Sequence, residues 1–556
     1  MLKSGVVMIA MLAASQAAAA QQPPPGAGGQ LQQIPPPPLP EKTAPDIRVE
    51  RSETAPDPAA SGTRIRVNKL IVTGNSRFDE ADLVAVAAVP PGSDLSLAEL
   101  REAAARIAAF YNAHGYILAQ AYLPAQDVKD GAVTIAVVEG RYGKTDVRNG
   151  TRLPDRVATN ALAALNRRDA VEAGPLERRL LLLSDIPGIN VRSTLSPGAE
   201  VGTSDLTVDL TPGRRITGSV EADNGGNRYT GAYRAGGSIN LNNPVGIGDR
   251  LSLRLLGSTG GLAYGRAAYQ APVGDATLGL AFTHLRYELG REFRSLRADG
   301  TADIASLFAS YPVIRSRDSN LYALAGADAK WLSDRIDLVS ARSDKTSRAL
   351  TLGLSGDSHD RLGGGGWNVF SAGWAFGDLH LESPLDRAAD ALTARTEGRF
   401  SKLQISAARL QTVSGPFSLY AAVRGQVALG NLDTSEKMEL GGAYGVRAYP
   451  EGEAYGDEGW LGTLEARLAL SRWTGELPGE LGLVGFVDVG QVKFADDPWF
   501  AGSNRARRSG IGAGLSWAGP NGLFAKVSYA RKLGNAAATS GPDRDGRFWF
   551  QISKLF

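Results

Sequence analysis

Arg447 is the one cation in the stretch Gly441 to Gly459, GGAYGVRAYPEGEAYGDEG, where Glu451, Glu453, Asp457 and Glu458 surround it. A lone guanidinium in acidic surroundings points to a specific carboxylate partner, because its planar fork matches a carboxylate in two parallel hydrogen bonds. Asp488, in Gly485-Phe486-Val487-Asp488-Val489-Gly490, is the candidate. Two-residue alternation there puts Leu481, Leu483, Val487 and Val489 on one face of a strand and Asp488 on the other. Glu465 and Arg467, on the polar face of the intervening run, are placed to join the same network. The bland alternative is a solvated loop cation and an ordinary carboxylate. A partly hydrated pair adds only about 1 kcal/mol, a size suited to a part that rearranges.

Positioning these groups falls to the flanking runs. Phe417 to Leu429 sets Phe417, Leu419, Ala421, Val423, Val427 and Leu429 against Ser418, Tyr420, Arg424 and Gln426. Trp460 to Ser471 sets Trp460, Leu464, Ala466, Leu468 and Leu470 against Thr463, Glu465, Arg467 and Ser471. Strands that are apolar on one face and polar on the other are what a lipid-embedded barrel requires. The intervening stretch then reads as a long loop folded back into the pore. Half of such a loop spans up to about 50 Å at roughly 3.3 Å per residue, more than the barrel's apolar band of about 25 Å, so its tip can descend to Asp488.

Residues 214 to 556 carry sixteen such alternating runs, at roughly 21 residues for each strand with its connection. Short connections such as Pro272-Val273-Gly274-Asp275 and Gly519-Pro520-Asn521-Gly522 alternate with long ones near 290 to 300, 332 to 346, 378 to 395 and 430 to 459. An even strand number leaves both barrel ends on the periplasmic side. The last run, Arg547 to Phe556, aligns Phe548, Phe550, Ile552 and Phe556, with Lys554 among them.

Ahead of the barrel, residues 1 to 20 have Lys3, an apolar core from Val6 to Ala14 and an Ala18-Ala19-Ala20 end, the pattern of a secretory signal peptide. No run reaches the roughly twenty apolar residues of a membrane-spanning helix. Residues 21 to 62 are Pro-rich and read as an extended or disordered linker. Pro-free runs there, such as Gly29 to Ile34, are too short for a stable helix on their own. Thr63 to Tyr142 reads as strand, helix, helix, strand, strand, with a Ser96-Leu97-Ala98-Glu99 capping box opening the second helix and Gly115 stopping it. Gly143 to Gly213 repeats that order.

Other chemistry finds little support. His114, His284, His359 and His380 lie on separate elements without ligand spacing, although a triad assembled in space is not excluded by spacing alone. Gly363 to Gly366 lacks the Lys-Ser/Thr of a phosphate loop and reads as a turn. Cysteine is absent, which removes disulfides and thiolate metal sites, and a net charge of +2 gives no electrostatic case for nucleic acid. Arg505, Arg507 and Arg508 form a basic cluster read as an outer loop, solvated or in contact with lipopolysaccharide.

The segment Gly445-Val446-Arg447-Ala448-Tyr449, together with Gly485-Phe486-Val487-Asp488-Val489-Gly490, resembles the paired signature of two-partner secretion transporters, the haemolysin secretion/activation family of outer-membrane proteins. The family most often has Gly where this chain has Ala448. Tyr111-Asn112-Ala113-His114-Gly115-Tyr116, Leu123-Pro124-Ala125-Gln126-Asp127-Val128 and Val138-Glu139-Gly140 resemble its first polypeptide-transport-associated (POTRA) domain, and Leu183-Ser184-Asp185-Ile186-Pro187-Gly188 its second. The resemblance implies two small α+β POTRA domains, residues 63–142 and 143–213, followed by a 16-stranded antiparallel transmembrane β-barrel, residues 214–556, with a long loop in the lumen. It implies a pore in the bacterial outer membrane that takes a secreted partner exoprotein, adhesin or haemolysin-like and β-helical, from the periplasm to the surface. It implies no cofactor and no catalytic step, an Arg447–Asp488 anchor, and Phe556 as a terminal signal to the barrel assembly machinery. An assembly insertase of the same superfamily and a passive porin or outer-membrane enzyme are the competing readings.

Overall fold

The computed structural model describes residues 25–36, 46–49, 64–166, 169–470 and 478–556; the expected signal peptide lies outside them. Period-two sequence becomes strand after strand from Ile216–Asp223 to Gly546–Leu555, sixteen in all, each antiparallel to its neighbours and closed into a barrel. Closure is made by the first strand on the last, in register from Ser219↔Leu555 to Asp223↔Gln551, and extended by reciprocal 3.0 Å hydrogen bonds between the main chains of Gly218 and Phe556. Large apolar side chains such as Leu255, Leu280, Leu307, Leu352, Val423 and Leu464 stand exposed on the outside, the face a bilayer covers.

Several strands run well past the roughly ten residues a bilayer needs, among them Ala298–Arg315 and Ala341–Asp360. This corrects the expected long loop at 332 to 346. Strand continues to Ile336 and resumes at Ala341, with Ser333 Oγ donating to Asp344 across the ladder at 2.6 Å. Beyond the bilayer both faces of a hairpin can be polar, so alternation disappears while pairing continues.

Two α+β units precede the barrel. In the first, Ser96 caps helix Leu97–Ala113: its Oγ accepts from Glu99 N at 3.3 Å and the Glu99 carboxylate accepts from Ser96 N at 2.6 Å. Leu100, Ala104, Ile107 and Tyr111 of that helix are buried against Val133, Ile135 and Val137. Glu139, which follows this sheet, is buried and accepts from Ser76 N and Oγ at 2.5 Å, Arg77 N at 2.9 Å and Tyr111 Oη at 3.1 Å. Burial pushes its carboxyl up, but the bonds from Ser76, Tyr111 and Arg77 outweigh that and hold it below the ordinary glutamate range. The second unit packs helices Asp155–Leu162 and Ala173–Ser184 on strands Arg141–Asn149, Ile189–Pro197 and Thr203–Pro212. It is docked on the barrel's short turns: Arg179 on Asp275 at 3.1 Å, and Asp185 on Arg315 through bonds of 2.7 and 2.8 Å. That contact marks the periplasmic end.

The Pro-rich linker is not uniformly extended. Ala27–Gln32 is a helix inside the lumen, and Asp46–Val49 is a strand. Six residues cannot hold a helix alone; tertiary bonds hold this one. Ala27 N donates to Asp334 Oδ1 at 2.8 Å, Arg234 to Gln33 O at 2.7 Å, and Arg254 to Pro35 O at 2.6 Å. Gly28 permits the closest approach, since a Cβ there would lie 2.7 Å from Ser435 N.

Candidate functional site: the lumen loop

Between the eleventh strand, Phe417–Ala428, and the twelfth, Glu458–Ala469, the chain turns into the pore. Its tip is compact: Val446 N donates to Leu440 O at 2.7 Å, and Tyr449 N to Val446 O at 2.9 Å. Gly445 sits where any Cβ would come within 2.1 Å of Gly441 O, so the fold-back demands glycine. Val446, Ala448 and Tyr449 are fully buried. Ala448 has no left-handed backbone to strain it. Room for its methyl comes from Gly510 on the fourteenth strand, Arg505–Ala518, where a Cβ would lie 2.6 Å from that of Ala448.

The structure brings Arg447 and Asp488 together. Arg447 Nε donates to Asp488 Oδ2 at 2.8 Å and Nη2 to Oδ1 at 2.7 Å, and its main-chain N adds a 3.2 Å bond to Oδ2. Nη1 donates to Glu465 Oε1 at 2.8 Å, so one guanidinium bridges carboxylates on the twelfth and thirteenth strands. Thr463 Oγ1 donates to Asp488 Oδ1 at 2.9 Å. Arg467 reaches Glu465 Oε2 at 2.7 and 2.9 Å but does not bond Asp488. The Phe486 ring lies under the guanidinium, 3.4 Å from centroid to Cζ, a cation–π contact that also excludes water. Arg447 is 5 % exposed and Asp488 0 %. Of the thirteenth-strand motif, Phe486, Asp488 and Gly490 face the lumen: a Cβ on Gly490 would meet Leu440 Cδ2 at 2.8 Å, whereas one on Gly485 would meet nothing within 4 Å.

Several of the loop's acids find cations too, which the sequence had not indicated. Asp433 pairs with Lys345 at 2.6 Å; Glu436 takes Lys330 at 2.5 Å and Lys402 at 2.9 Å; Asp457 takes Lys437 at 2.5 Å. Glu453 pairs with Arg508 at 2.6 Å and accepts from Thr539 N and Ser540 N at 2.8 and 2.9 Å. Arg508 is therefore not part of an outer-loop cluster: Arg505, Arg507 and Arg508 all lie on the fourteenth strand, and Arg508 points inward while Arg505 and Arg507 are exposed. Trp549, on the last strand, donates from Nε1 to Arg447 O at 2.7 Å. Strands Ser319–Ile336, Ala341–Asp360, Gly398–Ser414, Glu458–Ala469, Glu480–Lys493, Arg505–Ala518 and Gly546–Leu555 thus all hold the loop. The lumen helix rests on the same loop, with Gln32 Nε2 donating to Thr434 O at 2.8 Å and Gln33 Nε2 to Tyr455 Oη at 2.6 Å.

The four histidines stay apart. His114 bonds Phe110 O at 2.8 Å, His284 contacts Asp303 at 2.7 Å, His359 stacks on Trp367 and His380 lies 3.3 Å from Glu397.

A family model described as haemolysin secretion/activation protein ShlB/FhaC/HecB matches residues 202–517, and one described as POTRA domain, ShlB-type, matches residues 65–140. The heme/hemopexin transporter protein HuxB of Haemophilus influenzae (strain 86-028NP) is 28 % identical over 474 residues, covering 84 % of this chain and 82 % of that one. The outer membrane transporter CdiB of Dickeya dadantii (strain 3937) is 26 % identical over 363 residues, 63 % of this chain and 62 % of its own. The solved structure of CdiB from Escherichia coli superposes with a TM-score of 0.68 at 20 % identity, over 91 % of this chain and 93 % of the other. The chain belongs to the ShlB/FhaC/HecB haemolysin secretion/activation family, an outer-membrane transporter of two-partner secretion with its POTRA domains in the periplasm.

Proposed function

We propose that the Arg447 loop, with the Ala27–Gln32 helix seated on it, is the resting closure of a protein-conducting pore, and that Arg447, Asp488 and Glu465 fix the loop in the one geometry from which transport begins. The observation that carries this is the buried fork of Arg447 on Asp488 with Glu465 on its remaining nitrogen. Such a fork specifies position as well as attraction. Arg467 supports it through Glu465.

The partner is a secreted exoprotein captured in the periplasm by the two POTRA domains and passed outward unfolded. The relatives' names speak of heme/hemopexin in one case; for this chain an adhesin or haemolysin-like exoprotein with a β-helical secretion domain is the reading. Arg505 and Arg507, outward on the fourteenth strand, suit the phosphates of lipopolysaccharide. Phe556, whose main chain helps close the barrel, presents the terminal aromatic to the assembly machinery. The reading contains no catalytic step and no cofactor. Expressing a long exported protein encoded beside the gene with and without this chain, and assaying that protein in the medium, tests it. Export that is equal without the chain would end the reading.

A further inference from the structure

Asp433, Glu436, Glu453 and Asp457 of the lumen loop each meet a cation, but Glu439 and Glu451 do not. Glu439 is 9 % exposed and Glu451 8 %, and among the described residues no Lys, Arg or His stands within ion-pair distance of either carboxylate. The fold of the loop holds the two acids close. Glu439 accepts from the main-chain N of Gly452, the residue after Glu451, and Glu451 Oε2 accepts from Ala443 N at 3.3 Å. Gly442 admits that carboxylate, since a Cβ there would overlap its Oε2. The charged and titratable groups facing the pair are Arg424 from the eleventh strand, Asp223 from the first, Arg234 from the second, Arg234–Asn242, and Tyr444 and Tyr455 from the loop itself. Both arginines bond elsewhere: Arg234 to Asp223 at 2.8 Å and Gln33 O at 2.7 Å, and Arg424 to the main-chain O of Glu439 at 3.3 Å. Tyr455 bonds the Glu439 side chain and accepts from Gln33 Nε2, at the end of the lumen helix, at 2.6 Å.

Burial and mutual repulsion both disfavour a second negative charge on two neighbouring carboxylates that lack a cation, and such a pair titrates as a unit. We propose that Glu439 and Glu451 share one proton in the closed pore, and that its loss to lumen water loosens the loop and the helix seated on it. The proposal rests on the reading of that loop as the resting closure. Once the loop leaves the wall, both side chains are hydrated and ionise as ordinary glutamates, at about 4.3. Between that value and the higher one at which the docked pair ionises, the docked loop binds one proton more than the free loop. Closure is therefore firmest at the acid end of this window and weakens as pH rises through it, by up to about tenfold per unit. Protonating the lysine-paired Asp433 or Glu436 also weakens closure, but on further acidification, with the opposite sign. Tyr455 carries the change to the helix: a full charge on both acids disturbs its bond to Glu439 and, through it, the seat of Gln33.

The test uses the full chain, its Glu439→Gln/Glu451→Gln variant, in which neither side chain can ionise, and Arg447→Ala. In planar bilayers the closed-to-open ratio of the unaltered chain is expected to fall as pH is raised from about 5 to about 8, by up to about tenfold per unit, while the double variant stays closed throughout. In detergent at about pH 6, where ordinary glutamates are ionised, the infrared C=O stretch of a protonated carboxyl is expected in the unaltered chain and not in the double variant. Each single variant, Glu439→Gln or Glu451→Gln, is expected to move the pH response to lower pH, because the remaining carboxylate no longer faces a second charge. No such band in the difference between unaltered chain and double variant, or a pH response kept in full by the double variant, overturns the proposal. So does closure at about pH 8 that depends on added magnesium and is lost with a chelator, which would assign the pair to a metal ion. Arg447→Ala reports on the closure alone. If it conducts no more than the unaltered chain, the loop is not the closure, and the infrared band, read without a pore, still decides whether the pair shares a proton.

Discussion

Arg447→Ala removes three side-chain bonds to carboxylates, two to Asp488 and one to Glu465. What remains differs between the two acids. Glu465 keeps Arg467, whereas Asp488, fully buried, keeps only Thr463 and the main-chain N–H of residue 447. Had the pair been exposed, its loss would cost about 1 kcal/mol or less. Breaking a buried pair by removing one partner costs about 3 to 5 kcal/mol, because a charge is left stranded. The hydrogen bonds that Asp488 keeps, from Thr463 and the main-chain N–H of residue 447, place this case at the lower end, about 3 kcal/mol, which lowers the preference for the docked loop roughly a hundredfold. The barrel should still insert, since its ladder does not use these side chains, while exported partner per inserted barrel falls steeply and bilayer conductance rises.

The same reasoning fixes the other members of the series. Asp488→Ala should resemble Arg447→Ala, and the double variant should be no worse than either, because removing both partners leaves no stranded charge between them. Arg447→Lys should fail as well, since an ammonium keeps the charge but loses the planar fork that meets both Asp488 oxygens in parallel. Export normalised to heat-modifiable barrel, measured for all four variants, decides it. Losses that simply add, so that the double variant is worse by the full sum, would refute direct pairing.

Deleting Phe556 removes both reciprocal main-chain bonds that extend the closing seam and the terminal aromatic with them; the amount of heat-modifiable barrel in the outer membrane should fall while the soluble domains stay folded. Removing Thr63 to Gly140 should abolish export and leave an inserted, conducting barrel, because that domain has its own capped helix and core; unchanged export would remove it from capture. Gly510→Ala should displace the loop tip, its new methyl meeting Ala448 at 2.6 Å, and should be read as faster trypsin cleavage after Arg447. Glu139→Gln should destabilise the first POTRA domain by about 1.5 to 3 kcal/mol at neutral pH, the worth of hydrogen bonds to a charged group. Because the Glu139 carboxyl is depressed in the folded state, its contribution is fully present above the ordinary glutamate pKa and is lost as pH falls through the folded value. The variant's thermal stability should therefore lose part of its acid dependence; an unchanged pH profile would count against the assignment.

What could be read from the chain, and what could not, follows from how far apart the interacting residues are. Period two exposed sixteen strands because each has one face to lipid and one to the lumen, and the same parity placed Asp488 inward beside a loop long enough to reach it. The capping box at Ser96 was legible for a related reason: both of its bonds join residues three apart. Asp433 and Glu436 were not, because their lysines are 34 to 106 residues away and look in sequence like any lumen cation. Arg508 was misplaced because the fourteenth strand begins at Arg505, and Arg505-Ala506-Arg507-Arg508 shows no alternation that a loop could not show. The Ala27–Gln32 helix escaped notice since its length and glycines argue against helix locally; its stability lies in Asp334, Arg234 and Arg254, all contributed by the barrel.

The manner of closure bears on how the pore can open. An apolar plug would strand large hydrophobic surfaces on both sides when withdrawn, a cost that grows with every contact broken. Here the loop's buried carboxylates at Asp433, Glu436 and Glu453 meet a wall of Lys and Arg, and Asp457 meets the loop's own Lys437. Charges separated into an aqueous channel recover hydration that partly offsets what each pair loses, so the open state is accessible even though the closed one is specific. The exception is the Arg447 site, where Phe486 covers the guanidinium and Trp549 bonds its main chain. Specificity is concentrated at the Arg447 fork and the buried Val446, Ala448 and Tyr449 around it, and the ion pairs along the rest of the loop are the contacts that water most readily replaces.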